Sequence, residues 1–270
     1  MKTPLNANFP KGNSDTKNLH FAPKHALLRG VFVFVFWLGV WELISLAVGI
    51  ELLVPSPLTV AKTLVRLASE RNFWVSTLLT LWRVALGFAG GTLLGALLAF
   101  LTHYFTIAKT LLEPVIRIVR AVPVASFIIL ALVWIQTEAL PSFISGAMAM
   151  PMVWQSISTS LESDIDPRLL EMSKVYKVPR GRVFRGIVLP SVAPAFVSGA
   201  LNALGFAWKS GVAAEVICQP KLSIGKQLQN AKIFLETPEV FAWTLTVCVL
   251  SLTLEKILQF VSKKFTRRSS

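Results

Sequence analysis

Apolar residues in this chain gather into long runs separated by short polar stretches. The runs are approximately Gly30–Gly49, Arg83–His103, Val119–Gln136, Leu140–Thr159, Ile187–Ile217 and Thr237–Leu254. Most are about as long as the ~20 residues that carry a helix across a bilayer. They are too long and too continuous for the strands of a membrane barrel, which alternate over about ten residues. With lipid as the solvent, backbone polar groups must be paired within each segment. The pattern therefore predicts an all-α integral membrane protein of about six transmembrane helices. The fifth run is longer than a perpendicular crossing needs, and only Thr137-Glu138 divides the third from the fourth.

Between the runs lie segments with their own helical character. After Val54-Pro55-Ser56-Pro57, the stretch Leu58–Glu70 reads as a short amphipathic helix with Ser56 or Thr59 as its cap. Leu222–Leu235, bounded by Pro220 and Pro238, reads the same way. Both fit either interfacial helices or elements that gate a path. Between runs four and five, Asp164, Asp166 and Pro167 mark a helix start, Arg168–Tyr176 is helical in pattern, and Val178-Pro179-Arg180-Gly181 turns the chain. Arg182–Val188 then resumes a helix that enters the membrane at Leu189-Pro190. Such a loop suits the docking of a partner protein, although a plain basic loop would carry the same charges.

Composition agrees with the lipid reading: 54% of the 270 residues are hydrophobic, 15% are charged, and mean hydropathy is +0.62. The net charge of +13 would suggest nucleic acid in a soluble protein. Its distribution says otherwise. If residues 1–29 form a cytoplasmic tail, nineteen of the 27 Lys and Arg residues fall on the cytoplasmic side and seven outside. Basic residues favour the cytoplasmic loops of membrane proteins, so both termini are expected inside, with no nucleic-acid partner. The basic N-terminal segment resembles a secretory signal, but its apolar run is long and no small-residue cleavage site follows, so an uncleaved first span at 30–49 is expected. Cys218 and Cys248 form no CxxC pair, and His20, His25 and His103 have no metal-ligand spacing.

The loop at 161–190 also resembles a known family. Glu171-Met172-Ser173, then Lys177, then Ile187-Val188-Leu189-Pro190 is similar in spacing to the EAA loop of ABC importer permeases, whose pattern is E-A-A, three residues, G, nine residues, I-x-L-P. Glu171, Ile187, Leu189 and Pro190 match, whereas Met172, Ser173 and Lys177 replace two alanines and the glycine. Lys at that glycine carries a penalty wherever a positive φ is required. Pro55-Ser56-Pro57, Leu81-Trp82-Arg83-Val84 through Gly87-Phe88, Ala121-Val122-Pro123, and Ala207-Trp208-Lys209 through Val212-Ala213-Ala214-Glu215 are similar to the sulfonate, taurine and nitrate branch. The resemblance implies a type-1 permease domain over 73–260 and a coupling helix around Glu171 seated on a cytoplasmic ATPase pair. It also implies an external solute-binding protein and a second permease copy, here expected to be a homodimer. No G-x-x-x-x-G-K-[ST] loop is present, so ATP belongs to the partner subunits, and this chain is expected to hold no cofactor, metal or catalytic residue.

Within the membrane, Lys209 and Glu215 interrupt an apolar run, and such charges usually face a partner or a watery path. Six residues apart on a regular helix they diverge by about 120°, so Gly211 is expected to break the helix and bring them together. They either gate the outer end of the path or form a pair that fixes an irregular turn. Glu42 either pairs with Arg83 or faces the path. The glycines at 87, 90, 91 and 95 fit helix packing or a dimer face. A vitamin-precursor importer and a gradient-driven carrier are the alternative functions; no internal repeat of the kind such carriers show is visible.

Overall fold

The computed structural model describes residues 23–266, and these are helical or irregular, without strands. In chain order the helices are α1 (Pro23–Val48), α2 (Pro57–Ala68), α3 (Arg71–Tyr104), α4 (Thr106–Ala121), α5 (Val124–Ala131), α6 (Leu140–Ser163), α7 (Pro167–Val175), α8 (Arg180–Val183), α9 (Leu189–Cys218), α10 (Ile224–Ile233) and α11 (Thr237–Thr266), with a π-helical turn over Phe184–Val188 joining α8 to α9. Residues 1–22 and 267–270, which include Lys2, Lys11, Lys17, Arg267 and Arg268 of the charge argument and also His20, lie outside the described residues.

Among the described residues, four helices are long and apolar enough to cross a membrane: Arg29–Val48, Arg71–Tyr104, Arg180–Cys218 and Thr237–Phe260. The count of six is therefore not reproduced, and two of the expected spans differ for identifiable reasons. The third, Val119–Gln136, is not one helix. α4 ends at Ala121, and α5 leaves at 108° to it. Pro123 lacks an N–H and disfavours the helical conformation of the residue before it; Val122 accordingly lies at φ −69°, ψ 131°. The fourth run does form a helix, α6, but one too polar to count as a lipid-facing span. Its Leu140, Ile144, Val153 and Ile157 are at most 1% exposed, because protein surrounds it on most sides.

α3, α6 and α9 form the centre. A Cβ at Gly87 would overlap the Ser142 carbonyl, one at Gly91 the Gly146 carbonyl, and one at Gly95 the Met150 carbonyl. The two parallel helices thus touch backbone to backbone every fourth residue, close contact that only glycine permits. Gly90 has open space where its Cβ would stand, so it belongs to a different face. α9 joins through Ser145 Oγ, which donates to the Ala207 carbonyl at 3.1 Å, and through the buried Trp208, whose Nε1 donates to the Val247 carbonyl of α11 at 3.2 Å. α1 is peripheral: Trp41 stacks on Phe241 and donates to the Pro55 carbonyl. Glu42 forms no ion pair with Arg83, whose carboxylate partners are Glu138 and Glu215.

At the end of the bundle where α3 and α6 begin, α2 and α10 lie as the amphipathic helices expected. Ser56 caps α2 by accepting the Thr59 N–H at 3.2 Å, and Ser223 caps α10 by accepting the Lys226 N–H at 3.1 Å.

Candidate functional site

Two polar assemblies stand at opposite ends of the bundle. The first is built on α7. Asp166 starts this helix by accepting the Arg168 N–H at 2.9 Å, with Pro167 at the first helical position, where its missing N–H costs nothing. The Ser160 and Ser163 hydroxyls beside Asp164 hold its carboxyl below the usual carboxylate range. At its other end α7 closes in a double turn. The Lys177 N–H reaches the Lys174 carbonyl (3.1 Å), and the Val178 N–H reaches the Ser173 carbonyl (2.9 Å). This closure requires a left-handed residue between them, and Lys177 stands at φ 49°. The penalty foreseen for lysine at this glycine position is thus incurred.

No residue of α7 is buried. Glu171 points into solvent, and Ser173 Oγ donates back to the Leu170 carbonyl at 2.7 Å. Leu169, Met172, Val175 and Tyr176 are 45%, 54%, 78% and 74% exposed. Leu169, Met172, Ser173 and Tyr176 recur at helical spacing and, with Val178, Val183 and Ile187, line an open hollow of about 310 Å³. So Met172, Ser173 and Ile187 share one surface. Leu189 and Pro190 lie beyond it, where the helix narrows from its π turn. There the Leu189 N–H reaches back five residues to the Phe184 carbonyl, and Pro190, having no N–H, leaves a carbonyl in that turn without its helical donor. Only the four residues Tyr176-Lys177-Val178-Pro179 separate α7 from the continuous 39-residue helical run Arg180–Cys218. Leu169 and Tyr176 were not singled out from the sequence, though their spacing with Met172 is a helical stripe.

The second assembly lies at the far end of α9, and it differs from the expectation. α9 stays helical through Gly211, which does not break it. A Cβ there would collide with Ser145 Oγ and Val84 Cγ2, so the glycine serves close packing. Lys209 and Glu215 consequently remain apart: Lys209 is exposed and makes no ion pair among the described residues. Glu215 is fully buried. Its Oε2 accepts from Thr80 Oγ1 at 2.8 Å and from the Gly225 N–H at 3.3 Å, and its Oε1 stands 3.6 Å from Arg83 Nη1. Thr80 Oγ1 in turn accepts the Ile224 N–H at 3.0 Å.

Arg83 is the hub. Its Nη2 donates to Glu138 Oε2 at 2.5 Å and to the Lys221 carbonyl at 3.0 Å, and its Nη1 donates to the Leu222 carbonyl at 3.3 Å. The second oxygen of Glu138 accepts the Lys221 N–H at 2.7 Å. Arg83 stands four residues before Gly87 on α3, and Glu138 four residues before Ser142 in the turn that precedes α6, so the pair continues the α3–α6 contact past the start of α6. Glu138, read from the sequence only as a separator between runs, was missed. The matching four-residue steps from 83 and from 138 were the available signal.

Residues 91–268 match the binding-protein-dependent transport system inner membrane component family. The chain is 23% identical to the taurine transport system permease protein of Escherichia coli (strain K12), over 84% of each chain. It is 23% identical to the nitrate import permease protein of a Synechocystis species, over 93% of each. Its fold is similar to the crystal structure of an amino acid ABC transporter with histidines, at a TM-score of 0.57 and 16% identity, covering 71% of this chain and 91% of that one.

Proposed function

The chain belongs to the family of binding-protein-dependent transport system inner membrane components and is an ABC importer permease subunit, not itself an enzyme; from this premise we propose that α7 is its coupling helix and that its cargo is a small oxyanion. α7 docks on a cytoplasmic ATPase subunit, with Glu171 and the stripe of Leu169, Met172 and Tyr176 as its contact face. Glu171, Met172, Ser173 and Lys177 lie on the docked helix and its cap, while Ile187, Leu189 and Pro190 carry the connection into α9. ATP is bound and hydrolysed by the partner pair. Its closure moves α7, and the short link Tyr176-Lys177-Val178-Pro179 passes that displacement to the long helix behind it, a two-state element of the kind such coupling requires.

In this reading the α7 end and both termini face the cytoplasm, in line with the excess of basic residues there. α2, α10 and the Arg83 assembly face outward, where a solute-binding protein delivers its cargo. A second copy of the chain completes the path. Sulfonates, taurine and nitrate, the substrates implied by the sequence resemblance and by the names of two relatives, are all small molecules bearing oxyanions.

The single observation that carries the reading is a helix with clamped ends, no buried residue, and an uncovered apolar stripe. A free surface of this kind marks a protein contact. Because no residue of α7 is buried, Met172→Asp and Glu171→Lys are expected to insert and fold normally. Each should reduce co-purifying ATPase in mild detergent by about tenfold, the loss of one good contact residue. Retention of the ATPase at wild-type level by both variants would refute the docking role.

A further inference from the structure

Resting on the oxyanion reading above, we propose that Arg83 and the backbone N–H of Lys221 form an anion-binding site at the outer end of the bundle. In this structure the chain's own Glu138 carboxylate fills it, and an incoming substrate anion displaces that carboxylate.

The donors are placed to meet two oxygens of one oxyanion. Arg83 Nη2 and the Lys221 N–H meet the two different oxygens of one carboxylate, at 2.5 and 2.7 Å. A nitrate, sulfonate or carboxylate presents a comparable pair of oxygens, which one guanidinium N–H and one backbone N–H can meet together. The framework also stands without Glu138. The Lys221 and Leu222 carbonyls hold the guanidinium, and buried Glu215 lies behind it. The Arg83 side chain is 12% exposed, while that of Glu138 is 48% exposed, so the carboxylate is the member that solvent can reach. Exchanging one exposed carboxylate for another oxyanion on the same donors changes the free energy little. The presenting loop is itself poised, with Gln219 and Leu222 both left-handed, at φ 50° and 49°, a conformation that non-glycine residues adopt at a cost.

Displacement has a mechanical consequence. The turn after α5 carries Val133 and Trp134, 71% and 74% exposed. It is fastened to the α9–α10 loop by Glu138 and, beneath it, by buried Cys218, whose Sγ lies 3.5 Å from the Thr137 carbonyl. Removing Glu138 from Arg83 takes away the turn's charged fastening and leaves it the sulfur contact and the packing of Leu132 and Ile135 on the cluster around Cys218, so the turn loosens over Cys218.

The test uses the whole complex with its ATPase subunits in lipid nanodiscs, with Cys248→Ser making Cys218 the only cysteine of this chain. The probe is methanesulfonate at about 20 mM, above the millimolar effective concentration of a tethered carboxylate, against chloride at equal ionic strength. Glu138→Ala should raise alkylation of Cys218 by a membrane-impermeant maleimide about tenfold, read on that peptide by mass spectrometry. Methanesulfonate should speed the reaction in the parent and add nothing in Glu138→Ala. The same variant, its site emptied, should gain Tm in methanesulfonate but not in chloride, and Arg83→Gln added to it should abolish the gain. A Glu138→Ala complex that gains no Tm from methanesulfonate overturns the site, whatever its alkylation rate. Failure of the substrate reading looks different: the unmodified complex with its binding protein would take up no sulfonate, taurine or nitrate, while the methanesulfonate gain in Glu138→Ala persisted.

Discussion

Lys177 illustrates how a residue standing where a pattern has glycine can take the backbone conformation that glycine favours. The α7 terminus closes by two crossing backbone bonds, and the residue between them must be left-handed. Lysine adopts that conformation at a cost of about 1–2 kcal/mol, part of which glycine would return as lost chain entropy in the unfolded state. Lys177→Gly should therefore stabilise the helix end by roughly 0.5–1 kcal/mol, seen as severalfold slower amide exchange at Lys177 and Val178 in the intact complex. Exchange that is unchanged or faster would mean that the φ of 49° is not strained here. Lys209 and Glu215 make the opposite point. Their types stood out within an apolar run, but the partners of Glu215 could not be read from its spacing to Lys209, because Thr80, Arg83 and Gly225 come from other elements.

Among elements, the α3–α6 contact carries the clearest energetic consequence. Gly91 faces the Gly146 backbone at a distance that excludes any Cβ, whereas Gly90, its neighbour, has open space. Gly91→Ala must force the helices apart and should destabilise the subunit by about 1–3 kcal/mol, the usual cost of overpacking. Gly90→Ala should be neutral or slightly stabilising, since alanine favours helix. Thermal unfolding of the two variants in the same detergent decides the matter, and equal Tm values would contradict the ladder. The same sequence stripe thus contains two kinds of glycine, and only the facing helix tells them apart. α6 shows the converse effect: its serines and threonines lower its hydropathy, yet it is the most enclosed long helix, because its neighbours shield it from lipid.

For the whole molecule, exposure confirms the solvent that hydropathy implied. Phe32, Phe34 and Trp37 on α1 are 71%, 66% and 62% exposed, an arrangement that water would not tolerate at this scale. The orientation argued from basic residues is tested by fusion. Green fluorescent protein placed after Ser270 should fluoresce, and alkaline phosphatase placed after Glu51 should be active. Active phosphatase at Ser270 would invert the topology and, with it, the assignment of α7 to the ATPase side.

The sequence alone determined the solvent, the helical class, the two amphipathic helices, the form of the loop around Glu171 and the family. Each of these depends on local order, on period and charge along one segment, and such order survives without knowledge of the neighbours. The 108° bend at Pro123 fell inside a run expected to be one span, although proline's action on its own backbone was the available signal. Only the tertiary structure decided that Gly211 packs and does not break its helix, that α6 is shielded from lipid, and that Glu138, more than fifty residues from Arg83, closes on it. Those outcomes depend on which helix faces which, and that is set by close contact between surfaces far apart in the chain.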